Sequence, residues 1–150
     1  MQLFSSAFQN GMPIPSKYTC DGKNTNPPLE IHDVPANAKS LALIMDDPDA
    51  PMKTWLHWTI WNIHPQEKYS ETDWQKAIAN AQEGLTDFGT IGYGGPCPPS
   101  GTHRYFFKLF ALDTLLDLKQ GASLEQLTKT MEGHSIEKTE LMGTYTRKSS

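Results

Sequence analysis

The chain has 150 residues, enough for one domain over 1–150 that buries roughly 70% of its unfolded surface without needing staples. Apolar residues make up 37% and charged residues 20%, which excludes a disordered chain and a fibre. A net charge of −4 argues against nucleic-acid binding and adhesion to anionic membranes, and no apolar run approaches the roughly 20 residues of a transmembrane segment.

The opening MQLFSSAFQNG has neither a basic start nor a hydrophobic signal core, so a cytoplasmic chain is expected. Weak strands are predicted at Leu3–Gln9 and Leu29–His32, as edges or partners. SLALIM, Ser40–Met45, is a short apolar run bounded by Asn37 and an Asp-Pro loop, the pattern of a buried strand. That loop, DDPDAP, holds Asp46, Asp47 and Asp49 on a backbone stiffened by Pro48 and Pro51, which cannot feed a central ladder.

LHWTIWNI, Leu56–Ile63, follows. Alternation puts Leu56, Trp58 and Ile60 on one face and His57, Thr59, Trp61 and Ile63 on the other, both largely apolar, so a central strand covered on both sides is expected. ETDWQKAIANA after Ser70 predicts a short helix. RYFFKLFAL, Arg104–Leu112, is a third central strand by the same criterion. SLEQLTKTMEG is a helix with a capping box from Ser123 and Gln126 and a C-terminal glycine at Gly133, and Ile136–Thr146 is a last weak strand. Eleven prolines, eleven glycines and no repeat point to a mainly β chain, a sandwich with long ordered loops and few short peripheral helices.

The five histidines divide into two groups. His32, His64 and His134 read most simply as surface or edge residues, the last suited to a helix C-terminus. His57 and His103 each open a strongly hydrophobic strand, one after DDPDAP and the other after GYGGPCPPSGT. If those strands are neighbours, His57, His103, Tyr105 and one of the three acids converge at one end of the sheet. Imidazole N–H, tyrosine O–H and loop backbone N–H groups are donors, so the product is a small pocket for an anion. Arg104 should point to the opposite face from its neighbours.

DPDAP, WLHW, DFGTIGYGGPCPPSGTHRYFFKLFAL, CDG with NTNPPL, and the ending ELMGTY together resemble the signature segments of the phosphatidylethanolamine-binding protein (Raf kinase inhibitor protein) family, in its bacterial and archaeal branch. The resemblance spans nearly the whole chain. It implies an antiparallel β-sandwich with a pocket for phosphate, sulfate, a carboxylate such as acetate, or a phospholipid headgroup. It puts Asp47 on the pocket acid, Trp55 on an aromatic wall, His57 and His103 on the two histidines, Tyr105 on a hydroxyl donor, and Pro51 and Pro99 on the rim. Members from eukaryotes continue into a C-terminal helix beside the pocket, whereas this sequence reaches TRKSS just after ELMGTY, which implies a barer pocket mouth.

The resemblance also places Cys20 and Cys97 on loops that both approach the pocket, where they are either bonded or neighbouring thiols; a reducing cytoplasm favours the free thiols. A binding and regulatory module needs donors and no nucleophile, and the resemblance implies a kinase or protease as its partner. The alternative is a hydrolase or phosphatase using His57 or His103 as base or nucleophile, against which stands the lack of a GxSxG elbow or P-loop. No HxH or HExxH spacing supports a metal site, and no cofactor is implied.

Overall fold

The computed structural model describes residues 1–147. In chain order its elements are β1 (Gln2–Phe4), a 3-10 turn (Ser16–Tyr18), β2 (Glu30–His32), β3 (Ser40–Asp47), β4 (Trp55–Ile63), α1 (Glu71–Ala79), β5 (Gln82–Glu83), β6 (Thr102–Leu112), α2 (Leu124–Met131) and β7 (Ser135–Thr146). The three apolar runs pair with one another. They form the middle of a five-stranded antiparallel sheet in the order β5-β4-β3-β6-β7. The fold is thus mainly β and antiparallel, with two helices among the described residues.

Both faces of β3 are buried, as an uninterrupted apolar strand requires. Leu41, Leu43 and Met45 face a first core with Trp58, Ile60, Tyr105, Phe107 and Leu109. Each such side chain fully withdrawn from water contributes roughly 1.5–3 kcal/mol. That face is covered by the β1-β2 pair, through Leu3 and Ile31, and by Phe8, Ile14, Leu29, Tyr69 and Trp74. Ala42 and Ile44 face a second core closed by Leu116 and by Leu127 and Met131 of α2.

Both helices start as their sequences prescribe. Ser70 and Asp73 form a capping box on α1, Ser123 and Gln126 form one on α2, and Gly133 takes the left-handed conformation just past α2 at φ +81. β1 is shorter than the Leu3–Gln9 expectation. After Phe4 the chain turns so that the Ser6 N–H and hydroxyl bind Glu71 at 3.0 and 2.8 Å, leaving no ladder to extend.

Strict alternation along β4 fails twice. Trp58 pairs with Met45 but Leu56 with Asp46, and Ile63 pairs with Leu41 but Ile60 with Leu43, so β4 carries an extra residue at each place. The second bulge uses Asn62 at φ +56, held through its amide by Gln82 and Leu116. Ile63 therefore returns to the face of Ile60. The first bulge leaves Leu56 with the second core and Trp58 with the first, and His57 is the extra residue between them.

Candidate functional site

The loop that ends β3 sends its three carboxylates to three partners. Asp46 lies toward the second face, where Lys108 Nζ donates to its Oδ2 at 2.9 Å. Asp47 accepts from His103 Nδ1 at 2.6 Å on one oxygen and from the Asp49 backbone N–H at 2.8 Å on the other, a local turn that shapes the loop. Asp49 is clamped by Arg104, whose backbone N–H, Nε and Nη2 all donate to it at 2.9 Å. Those hydrogen bonds hold the Asp49 carboxyl at about 2, below the usual carboxylate range. Arg104 is thereby engaged outside the pocket, as alternation predicted.

His57 reaches the pocket because of the bulge. A regular strand would have sent it to the face of Thr59 and Trp61. Instead its ring lies 5.2 Å from that of Tyr105, a first-core residue, in an edge-to-face contact. Gly94 fixes the ring: its carbonyl accepts from His57 Nδ1 at 2.6 Å and its N–H donates to the His57 carbonyl at 2.9 Å. A Cβ on Gly94 would fall 2.5 Å from the Phe88 ring. The glycine lets the main chain pack against Phe88 while it holds the histidine.

Asp47, Pro51, Trp55, His57, Pro99, His103 and Tyr105 all line one cavity of about 250 Å³. Cys97 lines it too, with Ala50, Phe88 and Pro98. Ala50 and Pro98 are chain neighbours of expected rim residues. Phe88 was missed; its ring meets Trp55 at 5.6 Å and His57 at 5.2 Å, so it forms a wall continuous with Trp55. An apolar residue at a glycine turn, with Gly89 at φ +80, was the available signal. His32, His64 and His134 lie elsewhere, and His134 pairs with Asp113 at 2.8 Å. Among the described residues no group of three or more His, Cys, Asp or Glu is arranged to hold a metal ion.

In the free protein burial favours the neutral forms of His57 and Tyr105. Burial pushes His57 below the ordinary histidine value, against the partial support of the Gly94 carbonyl and Asp47. Burial, then the Asp47 charge, pushes Tyr105 well above the ordinary tyrosine value, so its hydroxyl keeps its proton. The Tyr105 hydroxyl and the Trp55 indole N–H are buried and have no hydrogen-bond partner among the described residues. A buried donor without an acceptor costs about 1–3 kcal/mol. Because carbonyl and carboxylate occupy the Nδ1 positions of His57 and His103, both rings have Nε2 left for a ligand.

Cys20 and Cys97 are bonded, which corrects the expectation of free thiols. The physical reason is the pairing of their loops. Cys20 N–H donates to Pro96 at 3.1 Å, the Tyr93 hydroxyl to the Tyr18 carbonyl at 2.7 Å, and Gly95 N–H to Asn24 Oδ1 at 2.9 Å. The two Cα atoms come within 5.5 Å, a separation a disulfide spans without moving the backbone.

The sequence profile described as phosphatidylethanolamine-binding protein matches residues 4–146. A protein of Methanothermobacter thermautotrophicus, named only as a UPF0098 protein, is 53% identical over 150 residues, covering 98% of this chain and 99% of its own. The crystal structure of a phosphatidylethanolamine-binding protein homolog from Chlamydia trachomatis superposes with a TM-score of 0.89 at 45% identity, over 98% of this chain and 97% of that one. YbcL of E. coli, described as a new member of the mammalian family, gives 0.86 at 32% identity with 98% of each chain covered.

Proposed function

The chain belongs to the phosphatidylethanolamine-binding protein family, and from that premise we propose that it is a single-domain binding module whose pocket takes a small anion. Phosphate, sulfate, a carboxylate and a phospholipid headgroup share the needed chemistry: acceptor oxygens on a compact charged group. The observation that carries this reading is the pair of buried, unpartnered donors on Tyr105 and Trp55 beside the free Nε2 positions of two fixed histidines. An anion is the ligand that satisfies them together. Pro51, Pro99 and Phe88 shape a largely apolar rim that would exclude water from those contacts.

A kinase or protease that presents a phosphorylated or acidic side chain is the partner class such a module would regulate. In the cytoplasm, the location proposed for this chain, the Cys20–Cys97 bridge must survive a reducing thiol pool. Among the described residues no helix is long and apolar enough to cross a membrane.

A second reading rests on the 2.6 Å contact between His103 and Asp47, which has the form of a base and its orienting carboxylate. A hydrolase or phosphatase built on it would activate water at His103 Nε2, since Cys97 is bonded and, among the described residues, no serine or threonine lines the cavity. Calorimetry with sulfate and with phosphoethanolamine, alongside turnover of a generic phosphomonoester, separates the readings. Saturable binding without turnover supports the module, turnover lost in His103→Ala supports the hydrolase, and neither signal refutes both.

A further inference from the structure

The bridge between Cys20 and Cys97 is placed asymmetrically with respect to the pocket. Cys97 contributes to the cavity wall, in the same space as His57, His103 and Tyr105, and Cys20 does not. A molecule inside the cavity therefore approaches the bridge from its Cys97 side. Both cysteines are only partly buried, so the bond is not sealed in the core. The same cavity holds the donors argued above to bind an anion.

We propose that Cys97 is a site of thiol exchange selective for small thiols that carry an acidic group, such as a mercapto-carboxylate. The inference rests on the anion-binding reading. The carboxylate takes the place of the anion, at His57, His103 and Tyr105, and presents the thiolate to the Cys97 sulfur. A new bond forms between the incoming sulfur and Cys97 as the Cys97–Cys20 bond breaks. The electron pair leaves with the Cys20 sulfur, which takes a proton from solvent. One disulfide replaces another, so no oxidant is consumed. The product holds its own carboxylate in the pocket, and a free anion is then excluded.

The charge of the chain makes this selectivity diagnostic. With a net charge of −4 and Asp47 in the cavity wall, long-range electrostatics disfavour an acidic thiol relative to a neutral one. A preference for the acidic thiol must then come from local donors. Thiol pKa values differ, so rates are compared at equal thiolate concentration.

The experiment treats the oxidised protein with 3-mercaptopropionate, 2-mercaptoethanol or cysteamine and measures the initial rate of thiol release, locating the adduct by peptide mass mapping. Sulfate binding is measured on the same preparation. One charge-assisted hydrogen bond gained predicts about a tenfold or greater advantage for the mercapto-carboxylate. The adduct is expected on Cys97 with Cys20 free, and excess sulfate is expected to remove the advantage. Equal rates for the three thiols, or an adduct on Cys20, overturn the exchange site while bound sulfate leaves the anion pocket standing. Absence of sulfate binding overturns the pocket, and the exchange site falls with it.

Discussion

His103 donates from Nδ1 to Oδ2 of Asp47 at 2.6 Å, with the two side chains only 8% and 4% exposed. The contact ties the start of β6 to the end of β3 and leaves the far side of the imidazole for the pocket. Asp47 also caps the Asp49 N–H, so Asp47→Ala removes two hydrogen bonds to one buried carboxylate. Each is worth about 1.5–3 kcal/mol, part of which is returned because the variant no longer buries a carboxylate, and the expected loss of stability is about 2–4 kcal/mol in urea denaturation with an unchanged slope. Stability within about 0.5 kcal/mol of the parent would show that the pair is slack.

Removing either pocket histidine should separate binding from folding. His103→Ala and His57→Ala each delete one donor to the anion, and a charged hydrogen bond lost costs about ten- to a hundredfold in affinity. Both also cost stability. His57→Ala strands the Gly94 carbonyl and His103→Ala strands the Asp47 carboxylate, each now paired at 2.6 Å, so each should unfold at lower denaturant by about 1–3 kcal/mol. Variants that unfold without a separable sulfate-binding defect would leave the histidines as strand caps only.

The sequence disclosed the parts of this architecture that depend on local pattern. Apolar runs bounded by Asn and Asp-Pro became the central strands, and Ser123 with Gln126 became a capping box because one turn of helix suffices to make it. His57 shows where pattern fails. A bulge is a relation between β4 and β3, and nothing in LHWTIWNI alone says that one residue of the partner will face two of its own. The division of labour among Asp46, Asp47 and Asp49 is likewise set by Lys108, His103 and Arg104, roughly 55 to 62 residues away. The site residues themselves rested on family resemblance, which carries tertiary information that periodicity lacks.

Gly94 offers a test of how tightly the pocket is built. A Cβ there would stand 2.5 Å from Cδ2 and Cε2 of Phe88, so Gly94→Ala must push the ring, and Phe88 is packed edge-on against both Trp55 and His57. Overpacking of this kind costs about 1–3 kcal/mol. Sulfate affinity should fall and tryptophan fluorescence should change in step. A variant with parental stability and affinity would show that Phe88 swings outward freely, as its 43% exposure permits.

Protein unfolded without reductant should show no reactive thiol, because the chain has two cysteines and both are in the bridge. The bridged residues are separated by 77 positions, and closing so long a loop adds roughly 4–5 kcal/mol in the chain-entropy model. Reduction should therefore lower the denaturation midpoint without abolishing the fold, since the loops retain their hydrogen bonds at Pro96, Tyr18 and Asn24. Two reactive thiols per unfolded chain would reject the bridge.

Anion affinity should fall as pH rises, and His57 sets the window. Its Nδ1–H is committed to the Gly94 carbonyl, so the neutral ring offers a lone pair at Nε2, which repels an anion. Only the imidazolium donates from both nitrogens. In the free protein burial holds His57 below its ordinary value of 6.5, so at neutral pH the ring is uncharged before binding. A bound anion stabilises the charged form and raises that value. Affinity is then full below the lowered free-state pKa, falls by about tenfold per pH unit between the free and bound values, and levels off above the bound value. Because the free-state limit lies under 6.5, the decline begins on the acidic side of neutrality. Sulfate titrated calorimetrically in two buffers of different ionisation enthalpy measures affinity and proton uptake together, and sulfate keeps one charge state across this range. Up to one proton should be taken up per sulfate near neutral pH. His57→Gln should bind more weakly, with this component of the pH dependence removed. Constant affinity from mildly acidic to mildly alkaline pH without proton uptake would instead assign the anion to the Tyr105 and Trp55 donors, with His57 a neutral wall.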